Sequence, residues 1–134
     1  TWRDWDDDFQ MKLVEHFSIT FPFHEIVTIS SNNEQLTNCL ECQIELYTKA
    51  EILVGLHGAG LTNVLFMPPN SILFEISGQF DGRMMPLCGY HGGLGSIFGV
   101  HHFVFYYDWK GGEKLDPLLV THTARDFFKI LRSS

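Results

Sequence analysis

The chain has 134 residues, of which 45% are hydrophobic and 19% are charged, a balance typical of a folded protein and not of a disordered one. This length allows one core, but it is short for a complete enzyme that encloses a two-part substrate. The net charge is −7 and no cluster of Lys or Arg is present, so nucleic acid and anionic membrane surfaces are not expected partners.

An amphipathic helix is predicted over residues 4–17, because apolar side chains recur there at steps of three and four. Its first turns contain Asp4, Asp6, Asp7 and Asp8. Such a cluster could hold a divalent ion on a nucleotide diphosphate. The favoured interpretation is that these carboxylates interact with the positive end of the helix dipole.

A strand and a second helix are predicted next. Residues 21–23, Phe-Pro-Phe, end the first helix, and the β-branched segment from Glu25 to Ile29 predicts a strand. Apolar residues at helical spacing then predict a helix over residues 34–49.

Two of the three cysteines, Cys39 and Cys42, have CxxC spacing within that helix. Buried thiols are the default expectation. Zinc is disfavoured because no second CxxC and no suitably spaced histidine pair occur. A disulfide stays possible if the protein resides in a secretory lumen.

The segment from residue 52 to residue 76 contains two apolar runs, which predict strands at 52–56 and 72–76 that are buried on both faces. The connection over residues 57–71 is long enough to join parallel strands. Within it, Leu61 to Met67 has helical character until Pro68 and Pro69. The sequence therefore predicts a parallel strand–helix–strand unit.

His57, Gly58, Ala59 and Gly60 directly follow the first of these strands. Free backbone N–H groups at such a turn, together with the helix dipole, can bind a phosphate, and the glycines allow close approach of a ligand. A buried glycine turn with a hydrogen-bonded core histidine is an equally good interpretation of the spacing alone.

The residue pattern after Ile76 predicts a loop from Ser77 to Gly89 and a strand from His102 to Tyr107. It then predicts a turn from Trp109 to Asp116 and a final helix. Adjacent His101 and His102 would point to opposite faces of the strand, which disfavours joint metal binding. The alternation of helices and strands predicts an α/β fold with a doubly wound parallel sheet.

The string His57-Gly58-Ala59-Gly60-Leu61-Thr62-Asn63 closely resembles the signature of glycosyltransferase family 61. The resemblance continues through Leu65-Phe66-Met67-Pro68 and the strand with Glu75. The pattern also includes Gln43, residues 50–55 and residues 99–101, and Arg3 matches an arginine before the first helix.

This resemblance implies a GT-B-type enzyme, with two Rossmann-like lobes and a cleft between them. Residues 1–134 would form a single lobe, the C-terminal, donor-binding half, which works with an N-terminal lobe outside this chain. The implied activity is transfer of a sugar from a UDP-linked nucleotide sugar to a hydroxyl of a glycan or protein. The implied enzyme is inverting and needs neither a metal nor a cofactor. It would reside in the Golgi or endoplasmic reticulum lumen, anchored by a segment outside this chain.

The implied donor-binding residues are Arg3, His57, Gly58, Ala59, Gly60, Leu61, Thr62, Asn63 and Glu75. His57 would contact the diphosphate or the sugar, and Thr62 and Asn63 would donate hydrogen bonds in the first helical turn. Glu75 could accept from ribose hydroxyls, as acidic residues do in dinucleotide folds. A solvated carboxylate at the strand end is an equally good interpretation of Glu75.

Two alternatives stay open. The chain could be a degenerate lobe that serves only as an interaction module, or it could belong to a different phosphate-binding α/β enzyme. No residue can be assigned as the catalytic base from the sequence.

Overall fold

A computed structural model describes residues 6–29, 34–56, 64–78, 99–108 and 111–133. The described residues form two compact units. One lies within Ile29–Glu113 and contains a parallel sheet, and the other consists of two helices near the two ends of the chain.

The sheet has three strands: β1 (Ile52–Leu56), β2 (Ile72–Gly78) and β3 (His101–Tyr107). All pairings are parallel, in the order β1-β2-β3. Every residue of the central strand β2 is buried, whereas β1 is partly exposed. The predicted α/β class and the parallel pairing of the first two strands are therefore confirmed, and the predicted burial on both faces holds for β2.

The predicted start of a loop at Ser77 is wrong. Ser77 and Gly78 continue β2 because β3 is long enough to pair with them, opposite Tyr106 and Tyr107. Residues 79–98, which contain the rest of the predicted loop, lie outside the described residues.

Two helices, α2 (Glu34–Thr37) and α3 (Leu40–Lys49), replace the single helix predicted over residues 34–49. The break occurs because Cys39 has an extended backbone and acts as the N-cap of α3. Across this break, Gln43 Nε2 donates to the Leu36 carbonyl over 2.9 Å. Gln43, one of the residues that carry the family resemblance, thus holds the two helices together.

Cys39 and Cys42 are joined by a disulfide, so the expectation of buried thiols is wrong for this pair. The spacing explains the difference. Cys39 at the cap position and Cys42 one helical turn later lie on the same side of the helix. Their Cα atoms are 5.2 Å apart, within the range that a disulfide spans.

The connection into β2 ends with a 3₁₀ turn at residues 64–66, followed by the two prolines. Val64 and Met67 pack with Leu73 and Val100 in a buried apolar cluster against one face of the sheet. Residues 57–63, which include the signature from His57 to Asn63, lie outside the described residues.

Two residues with positive φ, one before β2 and one before β3, are linked by a hydrogen bond. Asn70 has φ 68° and its N–H donates to the carbonyl of Gly99, which has φ 73°. The N–H of His101 then donates to the Ser71 carbonyl. Glycine adopts a positive φ without the steric cost that a Cβ imposes, which explains the Gly at position 99.

The second unit contains α1 (Asp7–Thr20) and α4 (Pro117–Arg132). Asp6 caps α1 by accepting from the Phe9 N–H, as the helix-terminus interpretation of the aspartates predicts. Asp116 caps α4 in the same way, and Pro117 occupies its first turn. No helix in the described ranges combines the length and apolar character that crossing a bilayer requires.

The predicted strand from Glu25 to Ile29 is wrong, because these residues have no regular secondary structure. Four of the five side chains, including Val27 and Ile29, are exposed. β-branched residues favour strands mainly through packing on a half-buried sheet surface. The segment lacks that burial, so its composition alone does not produce a strand.

Candidate functional site

The carboxyl ends of the three parallel strands meet at one edge of the sheet. β1 ends at Leu56, which pairs with Ile76, and β2 ends at Gly78, which pairs with Tyr107. Ligands of open α/β sheets bind beyond this edge. Because side chains alternate along a strand, Glu75 and Ser77 lie on the same face of the sheet, and Gly55 pairs with Glu75 from β1.

Glu75 is fully buried, and its Oε1 lies 2.7 Å from Nε2 of His102 on β3. His102 pairs in register with Leu73, so it is the diagonal neighbour of Glu75 on the same face. The His102 side chain is 11% exposed. A carboxylate at this distance determines which imidazole nitrogen carries the proton and fixes the orientation of the ring.

This arrangement answers one of the two expectations for Glu75. The interpretation of Glu75 as a solvated carboxylate at the strand end is wrong, because Glu75 lies within β2 and has no exposed surface. A contact from Glu75 to a ribose hydroxyl stays a prediction. The other implied donor-binding residues, Arg3 and the segment His57–Asn63, lie outside the described residues.

The sequence pattern does not predict the contact between Glu75 and His102. His102 was expected only as one of two histidines on opposite faces, and the structure places it beside Glu75. The partnership depends on the register between β2 and β3, and no pattern within either strand reveals that register. In the described ranges, no three His, Cys, Asp or Glu side chains are grouped closely enough to hold a metal ion.

Ser77 lies two residues closer to the carboxyl edge than Glu75. Its side chain is fully buried, and its Oγ has no hydrogen-bond partner among the residues that the structure describes. A buried hydroxyl without a partner costs about 1–3 kcal/mol of desolvation. An uncompensated polar atom at the ligand edge of a parallel sheet marks Ser77 as a candidate site residue.

We expect Ser77→Ala to raise the free energy of unfolding by about 1 kcal/mol, because the substitution removes an unsatisfied polar group. Urea denaturation followed by circular dichroism measures this difference. Ser71→Ala is the matched control, since Ser71 is also buried but its Oγ donates to the Pro68 carbonyl over 2.6 Å. Ser71→Ala should lower the free energy of unfolding. Equal losses of stability in the two variants would contradict the assignment of Ser77 as an unsatisfied polar residue.

Burial raises the pKa of the Tyr107 phenol above the ordinary value of 10.0. The folded state therefore retains this proton at a pH where the unfolded state releases it. Stability from this group is fully present below about pH 10 and is lost as the pH rises through the folded-state pKa.

We expect the free energy of unfolding of the wild type to fall more steeply between about pH 9 and about pH 11 than that of Tyr107→Phe. Urea titrations at each pH give the two slopes. Tyr106→Phe is the control, because Tyr106 is exposed and should retain the steep dependence. Parallel curves for the wild type and Tyr107→Phe would contradict the prediction.

Open parallel α/β sheets bind their ligands in the crevice beyond the carboxyl ends of the strands. The Glycosyltransferase 61 family model matches residues 11–74, just under half of the chain. The predicted resemblance to that family, which is named for glycosyltransferases, is therefore confirmed.

The matching curated relatives carry the name EGF domain-specific O-linked N-acetylglucosamine transferase. The proteins from Xenopus laevis and Gallus gallus are each 31% identical to this chain over 75 residues, and the protein from Bos taurus is 32% identical. Each match covers 56% of this chain but 12% of the relative. No solved structure matches.

Proposed function

We propose that this chain is the C-terminal, donor-binding lobe of a GT-B-type glycosyltransferase, with a Rossmann-like, doubly wound sheet. The enzyme would transfer a sugar from a UDP-linked nucleotide sugar to a hydroxyl of a glycan or protein. The family match and the names of the relatives support glycosyl transfer. The parallel order of β1, β2 and β3 is compatible with such a lobe.

One observation carries this proposal. β1 ends at Leu56, and the next residue in the chain is His57, the first residue of the family signature. Because β1 and β2 are parallel and Leu56 pairs with Ile76, the chain leaves β1 at the carboxyl edge of the sheet. This is the edge at which α/β proteins bind nucleotides.

The chemistry requires groups that stabilise negative charge on the departing nucleoside diphosphate. Backbone N–H groups held in place before the reaction lower this barrier without a metal ion. In the proposal, the amides from Gly58 to Leu61 face the diphosphate and His57 contacts the diphosphate or the sugar. The side chains of Thr62 and Asn63 add hydrogen bonds to the bound donor.

The relatives are named for transfer of N-acetylglucosamine, so UDP-N-acetylglucosamine is the first donor to test. The binding site for the acceptor and the catalytic base would belong to the N-terminal lobe. The reaction would be an inverting one. We place the enzyme in the lumen of the secretory pathway. The Cys39–Cys42 disulfide supports this location, because disulfides persist in oxidising compartments.

Thermal unfolding with UDP in the presence of EDTA tests the proposal. We expect UDP at 100 times its Kd to stabilise the 134-residue chain by about 2.7 kcal/mol and to raise its Tm. His57→Ala and Gly60→Val should abolish the shift, whereas His122→Ala, which removes an imidazole from α4, should retain it. Equal shifts in all four proteins, or no shift in the wild type, would contradict the proposal.

Competition distinguishes this enzyme from another phosphate-binding α/β enzyme. UDP and UDP-N-acetylglucosamine should displace a fluorescent UDP derivative, and ADP and simple sugar phosphates should do so only at much higher concentrations. Equal displacement by all four ligands would favour a general phosphate site over a uridine nucleotide site.

A second candidate function is a non-catalytic interaction module. Large apolar side chains are exposed in the second unit, including Phe23 at 98%, Ile19 at 71% and Ile130 at 64%. Exposed apolar side chains favour contact with another protein surface when they are contiguous. This function would be preferred if the chain shows no response to any nucleotide and binds a protein partner through these residues.

A further inference from the structure

We propose that the Cys39–Cys42 disulfide is a thiol–disulfide exchange site, which a dithiol reductant opens and a small-molecule disulfide oxidant closes while the protein stays folded. Neither the family resemblance nor the proposed donor site uses these cysteines.

The disulfide lies at the N-terminus of α3. Cys39 is the N-cap residue, and its Sγ accepts a hydrogen bond from the Cys42 N–H over 3.1 Å. Cys42 is exposed and Cys39 is partly exposed. A thiolate from solution can therefore reach the bond, and the leaving sulfur of Cys39 would already have an amide donor.

The exchange reaction is balanced with a dithiol as the reductant. One thiolate of the dithiol attacks Sγ of Cys42, the Cys39–Cys42 bond breaks, and Cys39 departs as a thiolate. The second thiolate of the reagent then attacks its own mixed disulfide and releases Cys42. Two electrons pass from the dithiol to the protein, and the two protons of the dithiol end on Cys39 and Cys42.

The surrounding contacts allow α3 to persist after reduction. Tyr47 is buried, and Gln43 remains hydrogen-bonded to the Leu36 carbonyl. At the other end of the helix, Ala50 packs against the apolar cluster below the sheet. The disulfide joins residues only three positions apart, so it cross-links no distant parts of the chain.

Thiol counting in the native protein tests the proposal. A Cys88→Ser background leaves only Cys39 and Cys42, so the titratable thiols should rise from zero to two per chain after brief treatment with dithiothreitol. The far-ultraviolet circular dichroism should stay unchanged, and removal of the reductant with oxidised glutathione present should return the count to zero. Thiols that appear only after denaturant is added would overturn the proposal.

Single-cysteine variants test the predicted role of each sulfur. In the same background, Cys39 in the Cys42→Ser variant should react several-fold faster with a disulfide reagent than Cys42 in the Cys39→Ser variant. Serine is also a good N-cap residue, so the Cys39→Ser variant retains a capped α3. Equal rates, or a faster Cys42, would contradict the role of Cys39 as the stabilised leaving group.

Discussion

Glu75→Ala is expected to lower the free energy of unfolding by about 3–5 kcal/mol, one of the two largest effects predicted for this chain. The substitution removes a fully buried carboxylate and leaves the His102 imidazole without its partner at 2.7 Å. It also opens a space beside Gly55, which has no side chain to fill it. Urea denaturation measures the loss.

Three control variants test whether the loss of stability in Glu75→Ala comes from the buried contact between Glu75 and His102. Glu75→Gln retains a hydrogen-bond acceptor and should lose less stability than Glu75→Ala. The double variant Glu75→Leu, His102→Leu should recover most of the loss, because a buried polar pair can be replaced by apolar residues at little cost. Glu45→Ala, which breaks only the exposed ion pair with Lys49, should cost less than about 1 kcal/mol. Equal losses for Glu75→Ala and Glu45→Ala would contradict the importance of the buried pair.

Phe74→Ala is expected to lower the free energy of unfolding by about 3–5 kcal/mol through a different mechanism. Phe74 is fully buried in the centre of β2, and its ring centroid lies 6.2 Å from that of Phe105 on β3. Truncation removes apolar contacts and leaves a cavity that the paired strands cannot close, because their hydrogen bonds fix their separation.

The matched control for this prediction is Phe23→Ala. Phe23 is 98% exposed, so the same chemical change should alter the free energy of unfolding by less than about 0.5 kcal/mol. Phe74→Leu, which retains much of the buried volume, should fall between the two. A loss for Phe74→Ala no larger than that for Phe23→Ala would show that β2 is not the centre of the folded core.

The sequence predicted the sheet well where local patterns and burial agree. The apolar runs at 52–56 and 72–76 become β1 and the first part of β2, since both are packed against neighbouring strands. The segment from Glu25 to Ile29 has the same local character but is exposed, so the prediction was wrong there. Periodicity detects which residues favour a strand, but it does not supply the partner strand.

The parts of the site that depend on tertiary structure could not be predicted. The contact between Glu75 and His102 spans 27 positions in the sequence and depends on strand register. The end of α2 before Cys39 also escaped prediction, because the apolar spacing of residues 36–47 continues across the break. By contrast, the caps at Asp6 and Asp116 follow from local chemistry alone.

The diagonal Glu75–His102 contact also restricts how the sheet can assemble. Most side chains of β2 and β3 are apolar or aromatic, and such surfaces tolerate more than one alignment during folding. A slip of one residue between the two strands would move His102 to the opposite face of the sheet. The Glu75 carboxylate would then lie in an apolar interior without His102. Misaligned forms of this sheet therefore lack the Glu75–His102 contact, so the pair favours the correct alignment among otherwise similar competitors.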